Sequence, residues 1–160
     1  MFIQIDPLTM KPPHVKKKNL VVAIVILYIL LFVYTGTSKL MHLGVFELRL
    51  ERMPYIAPYA QVISWGVPFL ELVIAGLLLI PKFRILGLYT SLFLLVIFTI
   101  YIIAVLQFSD HIPCSCGGVI SAFRWDDHIL FNVIFITLAL GAIALSKNSI
   151  TNLIDNNTVQ

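Results

Sequence analysis

The chain has 160 residues, 59% of them hydrophobic and only 12% charged, whereas soluble domains run near about 45–50% apolar and about 25% charged. That balance excludes an ordinary water-soluble enzyme. The net charge of +3 comes from lysines and arginines beside the ends of apolar runs, where they set topology and attract anionic head groups, which argues against nucleic-acid binding.

Residues 1–19 are polar and basic, and read as a cytoplasmic tail with little structure of its own. The first apolar run, Leu20 to about Leu40, is long enough to span a hydrocarbon core. It lacks a small-residue cleavage site, so it reads as a retained first span rather than a removable signal peptide. Lys39 lies near its far end.

The loop that follows mixes Val45, Phe46, Leu48, Leu50 and Met53 with Glu47, Arg49, Glu51 and Arg52. This pattern predicts a short helix lying in the head-group layer. Pro54 stops it and Pro58 delays the next helix. Tyr55, Tyr59 and Trp65 fall where interfacial aromatic belts form.

The second run, about Val62 to Ile80, carries Glu71, the sole acidic or basic residue between Arg52 and Lys82. A lipid-facing carboxylate costs about 2.5–3.5 kcal/mol on insertion scales, so Glu71 is expected to face the bundle interior or find a partner. Lys39 is the natural partner, with His42 and Gln107 as further candidates. Two readings stand side by side: Glu71 fixes helix packing and register, with Gly66 and Pro68 shaping the helix, or it serves function directly.

The third run, Ile85 to about Phe108, leads into Pro113-Cys114-Ser115-Cys116-Gly117-Gly118, which holds both cysteines of the chain. A disulfide between sulfurs one residue apart closes a very small ring. Such a bond is readily reduced and constrains almost no chain, so redox exchange explains the spacing better than a staple does. Arg124 or a protonated His111 favours thiolate, while Asp110, Asp126 and Asp127 oppose it. Two other readings stay open: an inert closed pair, and a metal held by Cys114 and Cys116 with His111 or His128, although the spacing fits no common zinc pattern. No metal site is assigned.

The fourth run is Ile129 to Ser146. Asp126 and Asp127 precede it and suit the N-terminal end of a helix. His128 and Asn132 share one face, and Asn132 is expected to hydrogen-bond between helices. Residues 147–160 read as a second short cytoplasmic tail.

The predicted fold class is therefore all-α: a polytopic four-helix membrane bundle over 20–146, with a short interfacial helix in the first outer loop. Continuous Leu/Ile/Val-rich runs leave helices as the way to satisfy the backbone in lipid. Lys11, Lys16, Lys17, Lys18, Lys82, Arg84 and Lys147 lie on one side, against Lys39, Arg49, Arg52 and Arg124 on the other. The richer side is expected to be cytoplasmic, with both termini inside and the loops Met41–Gln61 and Ser109–Asp127 outside.

Several elements occur in order: Gly36-Thr37-Ser38-Lys39-Leu40, Pro68-Phe69-Leu70-Glu71-Leu72, Gly76-Leu77-Leu78-Leu79, Cys114-Ser115-Cys116-Gly117-Gly118 and Asn132. In this arrangement, over about Leu20 to Leu145, the chain resembles the MauE/DoxX-like group of four-helix membrane proteins. Gly117 departs from the aromatic residue that MauE-like motifs often carry there. The resemblance implies Lys39, Glu71, Cys114, Cys116 and Asn132 as site positions. It also implies a role in maturing a disulfide-rich periplasmic protein for methylamine utilisation, alongside a thioredoxin-like partner. DoxX-like relatives are linked instead to thiosulfate:quinone oxidoreduction.

The expectation is an inner-membrane protein exchanging thiol and disulfide equivalents on the periplasmic face, with Cys114 and Cys116 as the exchanging pair. Electrons would pass to another protein or to a membrane quinone. The rival readings are a non-catalytic anchor subunit of a redox complex and a small transporter that uses Glu71.

Overall fold

The computed structural model describes the backbone of residues 13–108 and 125–158, and the side chains of 17–108 and 127–146. Five α-helices and two 3-10 turns make up these residues, and no strand occurs among them. Helix α1 covers Pro13–Met41, α2 Leu43–Leu50, α3 Ala60–Leu79, α4 Arg84–Phe108 and α5 Trp125–Thr158.

Four segments are long and apolar enough to cross a membrane: Lys17–Met41, Ala57–Leu79, Pro81–Phe108 and Asp127–Ser146. They coincide with the four runs read from the sequence. The helices themselves run further than expected at the two ends. Helix α1 begins at Pro13 and α5 continues to Thr158, where little structure was anticipated. Proline is well suited to a first helical position. No glycine or proline follows Ser146, so each added residue gains a hydrogen bond with nothing to break the helix.

In the bundle, α1 packs against α3 and α5, and α4 packs against α3 and α5. Spatial neighbours therefore follow chain order around a ring, as short connections between antiparallel helices favour. The α3–α4 connection is tight. Ile80 is extended (φ −87°, ψ 114°), the conformation a residue before proline prefers, and Pro81–Phe83 form a 3-10 turn. Gly87 then meets α3 so closely that a Cβ there would lie 2.8 Å from Leu78 Cδ2. Gly36 does the same for α1 and α3, where a Cβ would come within 3.2 Å of Pro68 O and 3.1 Å of Leu72 Cγ.

The core holds Val25, Tyr28 and Phe32 of α1, Ile74, Ala75 and Leu78 of α3, Leu88, Leu94 and Leu95 of α4, and Phe135, Ala139 and Ala142 of α5. Its aromatic centre is Tyr28, whose ring meets Phe135 edge-on at 5.3 Å. The Tyr28 hydroxyl donates to Phe135 O at 2.5 Å, tying α1 to α5.

The interfacial helix expected after the first span is present as α2. His42 alone separates it from α1, and it packs on α3. Val45 and Leu48 are exposed while Leu50 is buried, as suits a helix with one face on the protein and one towards lipid. Residues 51–56 turn the chain, and two tyrosines fasten that turn to α4: Tyr101 Oη donates to Pro54 O at 3.0 Å, and Tyr55 Oη to Phe108 O at 3.3 Å. Both bonds place the end of α4 at the same end of the bundle as α2.

Candidate functional site

One ion pair lies inside the bundle among the described residues. Lys39, in the last turn of α1, puts Nζ 2.5 Å from Glu71 Oε1 on α3, with side-chain exposures of 15% and 3%. The partner expected from the sequence is thus the one found. His42 and Gln107, the other candidates, are exposed and make no bond to Glu71.

Local sequence explains the meeting. Gly36 lets α1 approach the Pro68–Leu72 turn of α3, and Lys39 and Thr35 stand one helical turn apart on the same stripe of α1. Pro68 lacks an N–H, so the carbonyl of Ser64 loses its usual helical partner one turn from the pair. The Thr35 hydroxyl lies within interaction range of Glu71, while its long bond to Phe32 O measures 3.5 Å. From above, α2 lays Phe46 against the ammonium, with Nζ 5.9 Å from the ring centroid. Lys39 is therefore shared between a carboxylate and an aromatic face.

A buried ion pair gives little net stability, but removing one partner leaves an uncompensated charge and costs about 3–5 kcal/mol. The pair is thus a strong constraint on which residues α1 and α3 bring together. It is also incompletely matched. Glu71 Oε2 is buried without a hydrogen-bond partner, and so is Asn132 Nδ2 on α5. Asn132, 3% exposed, was expected to bond across helices; its amide nitrogen makes no such bond among the described residues.

His128, one turn from Asn132 on the same face of α5, feels the charge of Lys39. The bond from Tyr28 to Phe135 O sets the register of α1 against α5. Counting seven residues from each, about 10 Å of helix, brings Thr35 and His128 to a common level beside the ion pair. The fold thus gathers Lys39, Glu71, Thr35, His128 and Asn132 in the α2-end half of the bundle.

Thr35 and Phe46 were not singled out from the sequence. For Thr35 the signal was available, because its four-residue spacing from Lys39 places both on one face. For Phe46 there was none, since its role depends on the turn at His42 that folds α2 back onto α3. Asp127 stands near the described start of α5, while the residues before Trp125 and the side chain of Asp126, on which the capping expectation falls, lie outside the described ones.

Cys114 and Cys116, on which the exchange, metal and inert readings fall, lie outside the described residues, as do His111 and Arg124. The described chain bounds their reach. Cys114 is six residues beyond Phe108, at most about 22 Å of extended chain, and Phe108 is fixed at the α2 end by Tyr55. No cluster of three or more metal-ligating side chains occurs among the described residues. A shallow apolar groove lined by Gln61, Val62, Trp65, Gly66 and Phe69 lies on the face of α3 turned away from Glu71.

A family model described as methylamine utilisation protein MauE matches residues 17–145. The chain belongs to the MauE family. That match takes in three spanning segments whole, the fourth but for its last residue, and the cysteine-bearing connection. With the four spanning helices, it makes this MauE-family chain a multi-pass membrane protein. No curated protein matches it, and no solved structure matches it.

Proposed function

We propose that this MauE-family protein exchanges thiol and disulfide equivalents at a membrane surface through Cys114 and Cys116. The observation that carries the reading is the placement of its two cysteines. They stand one residue apart, in the segment joining α4 to α5, and Phe108, at the root of that segment, lies at the α2 end. A pair so spaced is poorly suited to stapling a fold and well suited to opening and closing.

The orientation follows from charge. Lys16, Lys17, Lys18, Lys82, Arg84 and Lys147 gather at one end and Lys39, Arg49 and Arg52 at the other, so the positive-inside rule puts the α2 end outside the cytoplasm. In a bacterium this is the periplasmic face of the inner membrane, where disulfides persist. Both termini are then cytoplasmic.

In the exchange step the thiolate of one cysteine attacks a disulfide sulfur of a thioredoxin-like partner. The partner's S–S bond breaks, its departing sulfur takes up a proton, and a mixed disulfide forms. The second cysteine, losing its proton, attacks the mixed disulfide and releases the partner's dithiol. The chain has lost two electrons and two protons, and the partner has gained both. Run in reverse, the same step oxidises a client. With no third cysteine to relay electrons, the pair is reset by another thiol protein or by a membrane quinone. Disulfide-bearing periplasmic proteins, matured for methylamine utilisation, are the clients this reading implies. Lys39 and Glu71 brace the helices beneath the exchanging segment, with Asn132 alongside.

Replacing Cys116 or Cys114 by serine in cells is expected to trap a mixed disulfide with the partner, identified by mass spectrometry after non-reducing separation. If neither variant captures a protein, and the double serine variant leaves periplasmic client oxidation unchanged, the exchange role is lost. The chain would then be a non-catalytic anchor of a membrane complex.

A further inference from the structure

Two unpartnered polar atoms sit in the interior at the α2 end, and they are of opposite kinds. Glu71 Oε2 accepts hydrogen bonds and Asn132 Nδ2 donates them, and neither is matched among the described residues. Both residues are 3% exposed, so neither bulk solvent nor lipid head groups serve them. Inside a bilayer each unmatched group costs several kcal/mol. The two belong to α3 and α5, which face each other across the bundle, between α1 and α4. A third group is nearby: the Thr35 hydroxyl, whose 3.5 Å bond to Phe32 O is long enough to be exchanged for a better one.

An oxygen that donates one hydrogen bond and accepts another satisfies both atoms at once. Buried water is held by about three such bonds, and this set of groups supplies an acceptor, a donor and a hydroxyl that can act as either. We propose that water, as one molecule or two in line, is bound between Glu71 and Asn132. The result is a hydrated polar site running from Asn132 through Thr35 and Glu71 to Lys39 and His128. The water donates towards the Glu71 carboxylate and accepts from the Asn132 amide, directly or through its neighbour, joining α3 to α5 where no direct bond occurs among the described residues. The site lies in the half of the bundle nearest α2, where Phe108 ends α4. It depends on the buried atoms alone and stands whether or not the cysteines exchange disulfides.

Hydroxyl-radical footprinting by millisecond X-ray radiolysis, on the full chain in nanodiscs, tests it, because radicals form from bound water beside otherwise inaccessible side chains. Phe32, 2% exposed and next to Thr35, is expected to be modified several-fold faster in the wild type than in Asn132→Leu. Label from oxygen-18 water should appear at that position. Thr35→Val, which keeps shape and removes one water partner, should lower the rate as well and serves if Asn132→Leu fails to fold. Protection of Phe32 in the wild type, or a rate indifferent to both substitutions in folded protein, overturns the proposal. So does recovery of a lipid-soluble quinol at one per chain that is lost in Asn132→Leu, since its hydroxyl would then occupy the place assigned to water.

Discussion

The middle of the bundle and its α2 end obey different rules for polar groups. In the middle, each buried hydroxyl is matched close by: Tyr28 Oη to Phe135 O, Ser91 Oγ to Gly87 O at 2.6 Å, and Thr99 Oγ1 to Leu95 O at 2.7 Å. At the α2 end, an acid and an amide are buried beside a half-buried base, with two of their polar atoms left over among the described residues. The first region holds the fold together, and the second spends stability to keep reactive polarity inside lipid. Where a membrane protein departs from local satisfaction is where its function is to be sought.

The sharpest way to break that contrast is to strip one charge from the α2 end. Lys39→Met alone is expected to destabilise the protein by about 3–5 kcal/mol, because Glu71 is left without its counter-charge. Adding Glu71→Leu should recover most of the loss. Reversible unfolding in mixed micelles measures both, and a double variant as unstable as the single one would show that the pair is not the source.

In the packed region the largest effect is steric. Gly87→Ala sets a methyl 2.8 Å from Leu78 Cδ2, and should cost about 1–3 kcal/mol, read by the same unfolding assay. Gly36→Ala, with its nearest neighbours at 3.1 and 3.2 Å, should cost less. Equal losses would mean that the α3–α4 hairpin relaxes more freely than its geometry implies.

Tyr28→Phe removes one interhelical hydrogen bond and little volume. The expected cost is about 0.6–1.7 kcal/mol, the range such bonds show inside membranes, read by the same unfolding assay. The smallest effect belongs to Phe46→Leu, which keeps apolar cover over Lys39 but removes the aromatic face and should cost about 0.5–1 kcal/mol. A loss as large as that of Lys39→Met would make α2 part of the ion pair's foundation.

The four spans were legible because a continuous apolar run in lipid has one backbone solution, the helix. The Lys39–Glu71 pair was legible for a related reason: a lone intramembrane acid needs a partner, and Lys39 ended the neighbouring span. Phe46 was hidden, since its contact with the ammonium depends on the bend at His42 that seats α2 on α3. The burial of Asn132 was legible, but composition does not say which atoms of a buried amide meet a partner, and its Nδ2 meets none among the described residues. The ends of α1 and α5 were underestimated because polarity marks where lipid stops, not where helical hydrogen bonding does.

Tyr55 is the one described non-glycine residue with a left-handed backbone, at φ 68°, a posture that costs an L-residue about 1–2 kcal/mol. Its hydroxyl reaches the final carbonyl of α4, so an uncomfortable backbone works as a latch on the root of the sulfur-bearing segment. Glycine at this position would ease the backbone and discard the latch, while phenylalanine would discard the latch alone. The difference between those two variants separates what the turn gains from being relaxed from what the neighbouring segment gains from being moored.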